Sequence, residues 1–432
     1  VATGASGRAD VAVTATTRNA VTTSADPGTP AGTATNGVGT SVALTVVDVD
    51  TAAQLAANAG ISGLRHLRVA AASHSTASTE ALGGSNGTSL ALAGATAITV
   101  ATERTTAIID AANSALLASG NVVVEAEQIA PVKTTARGAA ESGDAAVGVV
   151  ISLAFVDHRV TATTARDITA EGTITIRVTG ASSTVTLAEA TAGGAPGENT
   201  ASPGQPAAGQ PSATDSLESA RGFAAGAAGG ASAVPASLPK PTTPNGTVTV
   251  AAALAVTIHN TVADASVSGV TLTASAVTLS ARHHDIADST ASGQPDNRGP
   301  PSTVTIAAGI AITVVDVTIA ATAGAGTTIH TTALTLSAGV GTTDAEGNPA
   351  TAHRFAATSI AGAGNGGTLG LAGSLAILVA SIDTSAKLLA GANVEIAPGG
   401  SLAIAADSAA TSTATAHVAG EAGGLTVGVG AS

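Results

Sequence analysis

Ala255-Val-Thr-Ile-His-Asn260 returns 56 residues later as Ala311-Ile-Thr-Val-Val-Asp316, and this pair decides how the chain is read. Working outward, the same pattern stands at Ala43-Leu-Thr-Val-Val-Asp48, Ala97-Ile-Thr-Val-Ala-Thr102, Ser152-Leu-Ala-Phe-Val-Asp157 and Ala376-Ile-Leu-Val-Ala-Ser381. Successive copies end 54, 55, 103, 56 and 65 residues apart. The unit is therefore about 55 residues, with one insertion of roughly 48 after the third copy. Alternation of Val, Ile and Thr at a period of two marks a strand with one buried face.

A second strand follows each anchor at a similar offset. It reads Leu67-Arg-Val-Ala-Ala71, Val122-Val-Val-Glu-Ala126, Ile174-Thr-Ile-Arg-Val178, Val277-Thr-Leu-Ser-Ala281, Leu334-Thr-Leu-Ser-Ala338 and Leu402-Ala-Ile-Ala-Ala406. Turn residues precede the anchors: Asn36-Gly37, Asn86-Gly87, Asn245-Gly246 and Asn365-Gly366, with Gly143-Asp144 and Pro300-Pro301 in the remaining copies. Asn and Gly tolerate the positive φ of tight corners.

The composition narrows the choice. Of 432 residues, 44 % are hydrophobic, 10 % charged and 1 % aromatic, and the only aromatics are Phe155, Phe223 and Phe355. A conventional enzyme core of this size is filled by large side chains, which are missing here. Disordered chains are polar and highly charged, unlike this one with its mean hydropathy of +0.39. No apolar run reaches the length of a membrane span; the longest candidate, Leu369 to Ile382, is closed by Asp383. A net charge of −13 and the lack of stacking aromatics argue against nucleic acid as a partner. Cysteine is absent, so there is no disulfide framework and no thiolate chemistry.

A 55-residue unit without large core residues cannot bury its own apolar face and must stack on its neighbours. The expected fold is all-β: a parallel β-solenoid (β-helix) built from ~55-residue repeats, with one Pro/Gly-rich insertion. At 20–25 residues per coil, each unit would supply two to three coils, and the rod would be about 70–90 Å long. Residues 1–36 read as the tail of a preceding repeat, 37–186 and 247–418 as repeats, and 419–432 as the start of a following one, as in a window cut from a longer array. Residues 187–246 hold eight of the sixteen prolines. That segment is expected to be mostly loop, with a short helix beginning near Asp215-Ser-Leu-Glu218.

The unit Val250-Ala-Ala-Ala-Leu-Ala-Val-Thr-Ile-His-Asn260 through Ser266, followed by Val270-Thr-Leu-Thr-Ala274 and Val277-Thr-Leu-Ser-Ala281, resembles the repeat regions of secreted filamentous adhesins. These are the filamentous-haemagglutinin and leukotoxin-like giant surface proteins of Gram-negative bacteria. The resemblance covers most of the chain outside 187–246. It implies an exported, extracellular or cell-surface stalk or fibre with no catalytic residues, its partners being neighbouring repeats and a surface glycan or protein ligand. Two other readings stay open: a ligand-binding module acting through 187–246, and a filament subunit that stacks end to end.

Candidate chemistry is sparse. Asp48, Asp157, Asn260 and Asp316 share one repeat position with Thr102 and Ser381, and are expected to end strands at corners. Asp48 and Asp50 are the candidates for a metal, calcium, although one carboxylate pair falls far short of the six to eight oxygens it takes. His283, His284, Asp285 and Asp288 make the densest titratable cluster and are expected at a solvated corner. Neighbours on a strand face opposite ways, so His283 and His284 are not expected to share an ion. His353 and His417 stand in matching Thr-Ala-His contexts, expected from repeat ancestry. No copy carries a distinctive cluster of acids and bases for sugar cleavage, and the Thr-x-Thr spacing is too irregular for an ice-binding lattice. No enzymatic activity and no cofactor other than calcium are expected.

Overall fold

The computed structural model describes residues 8–27, 34–193, 248–296, 303–363, 368–420 and 425–432. Among them there is no helix. The strands are β1 (Ala9–Ala25), β2 (Asn36–Leu55), β3 (Leu64–Gly87), β4 (Leu90–Ile109), β5 (Leu116–Ala118) and β6 (Val122–Ser142). They continue as β7 (Ala145–Thr164), β8 (Ile168–Ala170), β9 (Thr173–Gly193), β10 (Val248–Val267), β11 (Thr271–Asp296) and β12 (Val304–Ala323). The last are β13 (Thr328–Val340), β14 (His353–Ala363), β15 (Leu369–Leu388), β16 (Asn393–Asp407), β17 (Ala410–Gly420) and β18 (Leu425–Ala431).

The chain passes alternately between two parallel sheets. One is seven-stranded, in the order β2-β4-β7-β10-β12-β15-β18; the other holds the remaining eleven strands. Pairings in the larger sheet close on themselves through β3, β5, β8, β11, β9 and β6, a parallel ring with further strands attached. Its cause is local. β5 and β6 are successive stretches of one path, parted at 119–121, and both pair with β3: Leu64 with Ala118, and Leu67 with Val122. β8 and β9 are parted in the same way beside β11.

Register follows the repeat. Ala43, Ala97, Ser152, Ala255, Ala311 and Ala376 stack in one column of the seven-stranded sheet. Leu67, Val122, Ile174, Val277, Leu334 and Leu402 stack in one column of the other. Parallel pairing sets each residue beside its own copy, so like side chains pack on like. The expectation of two or three coils per unit does not hold: one unit lays down one pair of strands. Six of the seven strands in the smaller sheet are 20 residues long. At ~3.3 Å per residue and ~4.8 Å between strands, the stack is about 65 Å wide but only about 30 Å high, not 70–90 Å.

In cross-section the space between the sheets is a wedge. Where the smaller-sheet strands end and the larger-sheet strands begin, Leu55, Leu64, Leu67, Ile109, Leu116 and Ile168 fill it. At the opposite edge the filling is alanine: Ala81, Ala91, Ala93, Ala136, Ala140 and Ala188. Two-residue links at 88–89 and 143–144 draw the sheets together there. A Cβ on Gly39 would sit 1.7 Å from the Gly84 carbonyl oxygen. Gly39→Ala is therefore expected to cost about 1–3 kcal/mol in urea unfolding, the usual penalty of an overpacked core. Gly60→Ala, in open space, is the neutral control.

Two turn expectations are corrected. Asn36-Gly37 opens a strand and Asn86-Gly87 closes one, and neither pair has positive φ. The left-handed glycines Gly269, Gly326 and Gly391 lie at the wide edge instead. There Arg166 joins three successive links, donating to the carbonyls of Ser114 (2.8 Å) and Ala59 (2.8 Å). Residues 187–193, expected as loop, belong instead to β9, which the alternation in Val185-Thr-Leu-Ala-Glu-Ala190 carries to Gly193. The rest of that insertion, with the expected helix near Asp215, lies outside the described residues. So do Asn245-Gly246, Asn365-Gly366 and Pro300-Pro301.

Candidate functional sites

A seam of polar side chains runs along the stack between the alanine edge and the aliphatic edge. Its outer rail is hydroxyl: Thr79 bonds Thr45 (2.6 Å) and Thr99 (2.7 Å), and Thr99 bonds Thr134 (2.6 Å). Further along, Thr257 donates to Thr186 (2.7 Å) and receives Ser289 (2.8 Å). Each hydroxyl both gives and accepts, so a buried column of threonine satisfies itself.

Beside this rail lies a sealed histidine–aspartate cluster. Asp285 of β11 is fully buried and accepts Ser182 Oγ (2.7 Å) and Thr261 Oγ1 (2.7 Å) on Oδ1. His259 Nε2 stands 3.0 Å from the same oxygen, while His283 Nδ1 is 3.1 Å from Oδ2. With the proton of His259 on Nε2, its Nδ1 accepts the Thr184 hydroxyl at 2.8 Å. His353 Nδ1 receives the Asp285 backbone N–H (3.1 Å) and lies 3.3 Å from Oδ2. His158 meets His259 edge-on at 5.7 Å, and neither of its ring nitrogens has a hydrogen-bond partner.

Burial alone would raise Asp285. The attraction of neighbouring His283 and the hydrogen bonds from His259 and His283 reverse that, holding it well below the usual carboxylate range. His158 is held well below an ordinary histidine, first by burial and then by His259 and His283. Burial likewise lowers His284. One layer further, Glu103 pairs in register with His158, and burial pushes its carboxyl up to about 7 against the pull of Ser75 and Gln128. Asp288 is raised to about 6 by burial, opposed by Arg354, which donates to it at 2.8 Å.

The structure redistributes the residues singled out in the sequence. Asp48, Thr102, Asp157, Asn260, Asp316 and Ser381 do share one column, but in mid-strand on the outer face, not at corners. Their contact is lateral: Asn260 Nδ2 donates to Asp157 Oδ1 at 2.7 Å. Asp48 and Asp50 are exposed two residues apart on one strand. Among the described residues no group of three or more His, Asp or Glu has a metal-holding arrangement. His283, His284, Asp285 and Asp288 are not at a solvated corner; they are buried in the middle of β11, a strand of 26 residues that runs on without a corner. His283 and His284 do face opposite ways. His353 pairs with Ala410 and His417 with Ile360, so the two histidines are not equivalent positions.

The second feature is a surface. Outward side chains over the first half of the smaller sheet are aliphatic row after row. Val46, Val100, Phe155, Ile258, Val314 and Val379 form one column; Leu44, Ile98, Leu153, Val256, Ile312 and Ile377 form the next. Val42, Val46 and Val379 are more than half exposed. The outer face of the larger sheet differs, bearing the ion-paired row Arg68–Glu125–Arg177.

Sequence reasoning missed Glu103, His158 and His259, though a signal was there. Each stands an even number of residues from a buried threonine or alanine of its own strand, Thr99, Ala154 and Thr257, and so shares its inward parity. No family model, no curated protein and no solved structure matches this chain.

Proposed function

We propose that the chain is a flattened parallel β-solenoid, a repeat segment of a giant extracellular bacterial surface protein that works as a stiff spacer in adhesion or cell-surface assembly. The observation that carries this reading is the unbroken main-chain ladder. In the smaller sheet all seven strands pair with their neighbours in one register, and each layer repeats the wedge of the one before. Such a stack bears load across many parallel hydrogen bonds and lengthens by adding units. The resemblance to filamentous adhesins supports the cell-surface setting. The alternative ligand-binding role for 187–246 falls, from residue 194 on, outside the described residues.

Deleting 90–144 tests the spacer. It removes one layer and joins Ser89 to Ala145, which holds the register of Leu90. The shortened chain is expected to keep its strand circular dichroism and cooperative unfolding, lose about 5 Å of height, and bind a segment-specific antibody on unbroken source cells. Unfolding of the remaining layers, or labelling only after lysis, would sink the proposal.

A further inference from the structure

We propose that the outer face of the seven-stranded sheet is a self-association surface on which a second copy of this chain packs face to face. All-parallel sheets occur almost only with both faces covered, and here one face carries bare aliphatic rows. From Val38 to Val46 the patch runs about 27 Å along the strand, and six full rows with the shorter β18 span about 30 Å, giving about 700 Å². That exceeds the ~300–600 Å² of the largest apolar patch on an ordinary monomer. It falls within the range around ~800 Å² per partner that a stable protein–protein interface buries. No charged side chain stands within it.

The flank of the patch argues for protein over lipid. It carries Asp48, Asp50, Asp157 and Asp316 against Arg104 and Arg159, a balance that repels anionic headgroups. The apolar columns set the pose. A two-fold axis along the strands, through the fourth row β10, turns the second row onto the sixth. The apolar columns then face their own copies, as in aligned sheet packing ~10 Å apart. Arg104 of one copy comes opposite Asp383 of the other, since both occupy one column, while Asp157 comes opposite Asp316 in the neighbouring column, at the rim of the apolar contact. This inference rests on the surface alone and does not require the spacer reading.

Sedimentation equilibrium of the purified chain tests it. The expected mass is twice 40.4 kDa. Ile258→Lys and Val314→Lys, 41 % and 36 % exposed, are expected to give monomers with an unchanged urea midpoint. Arg104→Asp or Asp383→Arg alone is expected to raise the dimer Kd about tenfold, and the two together to restore it within a few-fold. A monomer at every concentration overturns the proposal. So does a dimer indifferent to the lysine variants, which would point to the strand edges. Monomers that float with phosphatidylcholine vesicles would make the partner a lipid surface and likewise overturn it.

Discussion

Asp285→Ala is expected to cost about 3–5 kcal/mol of unfolding free energy, the largest effect of any single substitution considered. Removing one member of a buried charge-bearing network strands the others, and that range is what such breakage costs. Here the stranded groups are Ser182, Thr261, His259 and His283, all with side chains directed at one carboxylate in a sealed interior. Urea unfolding at pH 7 checks it. Because the folded carboxyl is held below its ordinary value, its contribution is complete above pH 3.8 and disappears as pH falls through the lower folded value. The wild-type and variant curves should therefore converge in strong acid. A loss under about 1 kcal/mol at pH 7, the worth of one ordinary hydrogen bond, would mean that the cluster carries no charge to protect.

Glu103→Gln is expected to work in the opposite direction, raising stability by about 3 kcal/mol at pH 8 and by less than about 1 kcal/mol at pH 5. The folded carboxyl sits at about 7 against an ordinary 4.5. Below 4.5 both folded and unfolded chains hold the proton. Between 4.5 and about 7 the unfolded chain loses its proton to water while the folded chain keeps it, so stability falls with rising pH and levels off above about 7. Glutamine keeps the shape and removes the penalty. Urea midpoints of the two chains at pH 5 and pH 8 are the measurement; a gap that does not widen with pH would refute the buried, uncompensated carboxyl. His158 and His284 act with the other sign. Below about pH 6.5 the unfolded chain binds protons that the buried rings refuse, and stability declines toward acid.

How much of this was legible beforehand differs by level. Anchors such as Ala255–Asn260 and Ala311–Asp316 predicted which residues stack, and the strand register agrees column by column. Strand length was not legible. Ala, Gly, Ser and Thr between the apolar runs look like corners, yet Ala72-Ser-His-Ser-Thr-Ala77 continues β3 without a break, because β1 pairs with the whole stretch on one side and β6 pairs with all of it but Ser75 and Thr76 on the other. Of the candidate site, Asp285 and His283 were recognised as a cluster and placed on the wrong side of the wall. His158 and His259 come from other layers, distant in sequence, and only stacking brings them near.

The sequence by itself determined that this is a repeating, all-β chain and which residue lies over which. In parallel pairing the offset between copies is the register, and an offset can be read from letters alone. Only the tertiary structure decided that one repeat makes one layer, and which face of each strand is inside. Alternation leaves two choices, and hydrophobicity favours burying Val, Leu and Ile. At the narrow edge the two-residue links bring the sheets so close that small residues, chiefly Gly and Ala with Ser, Thr and Val150, fill the space between them. The bulky aliphatic face is turned outward there for want of room.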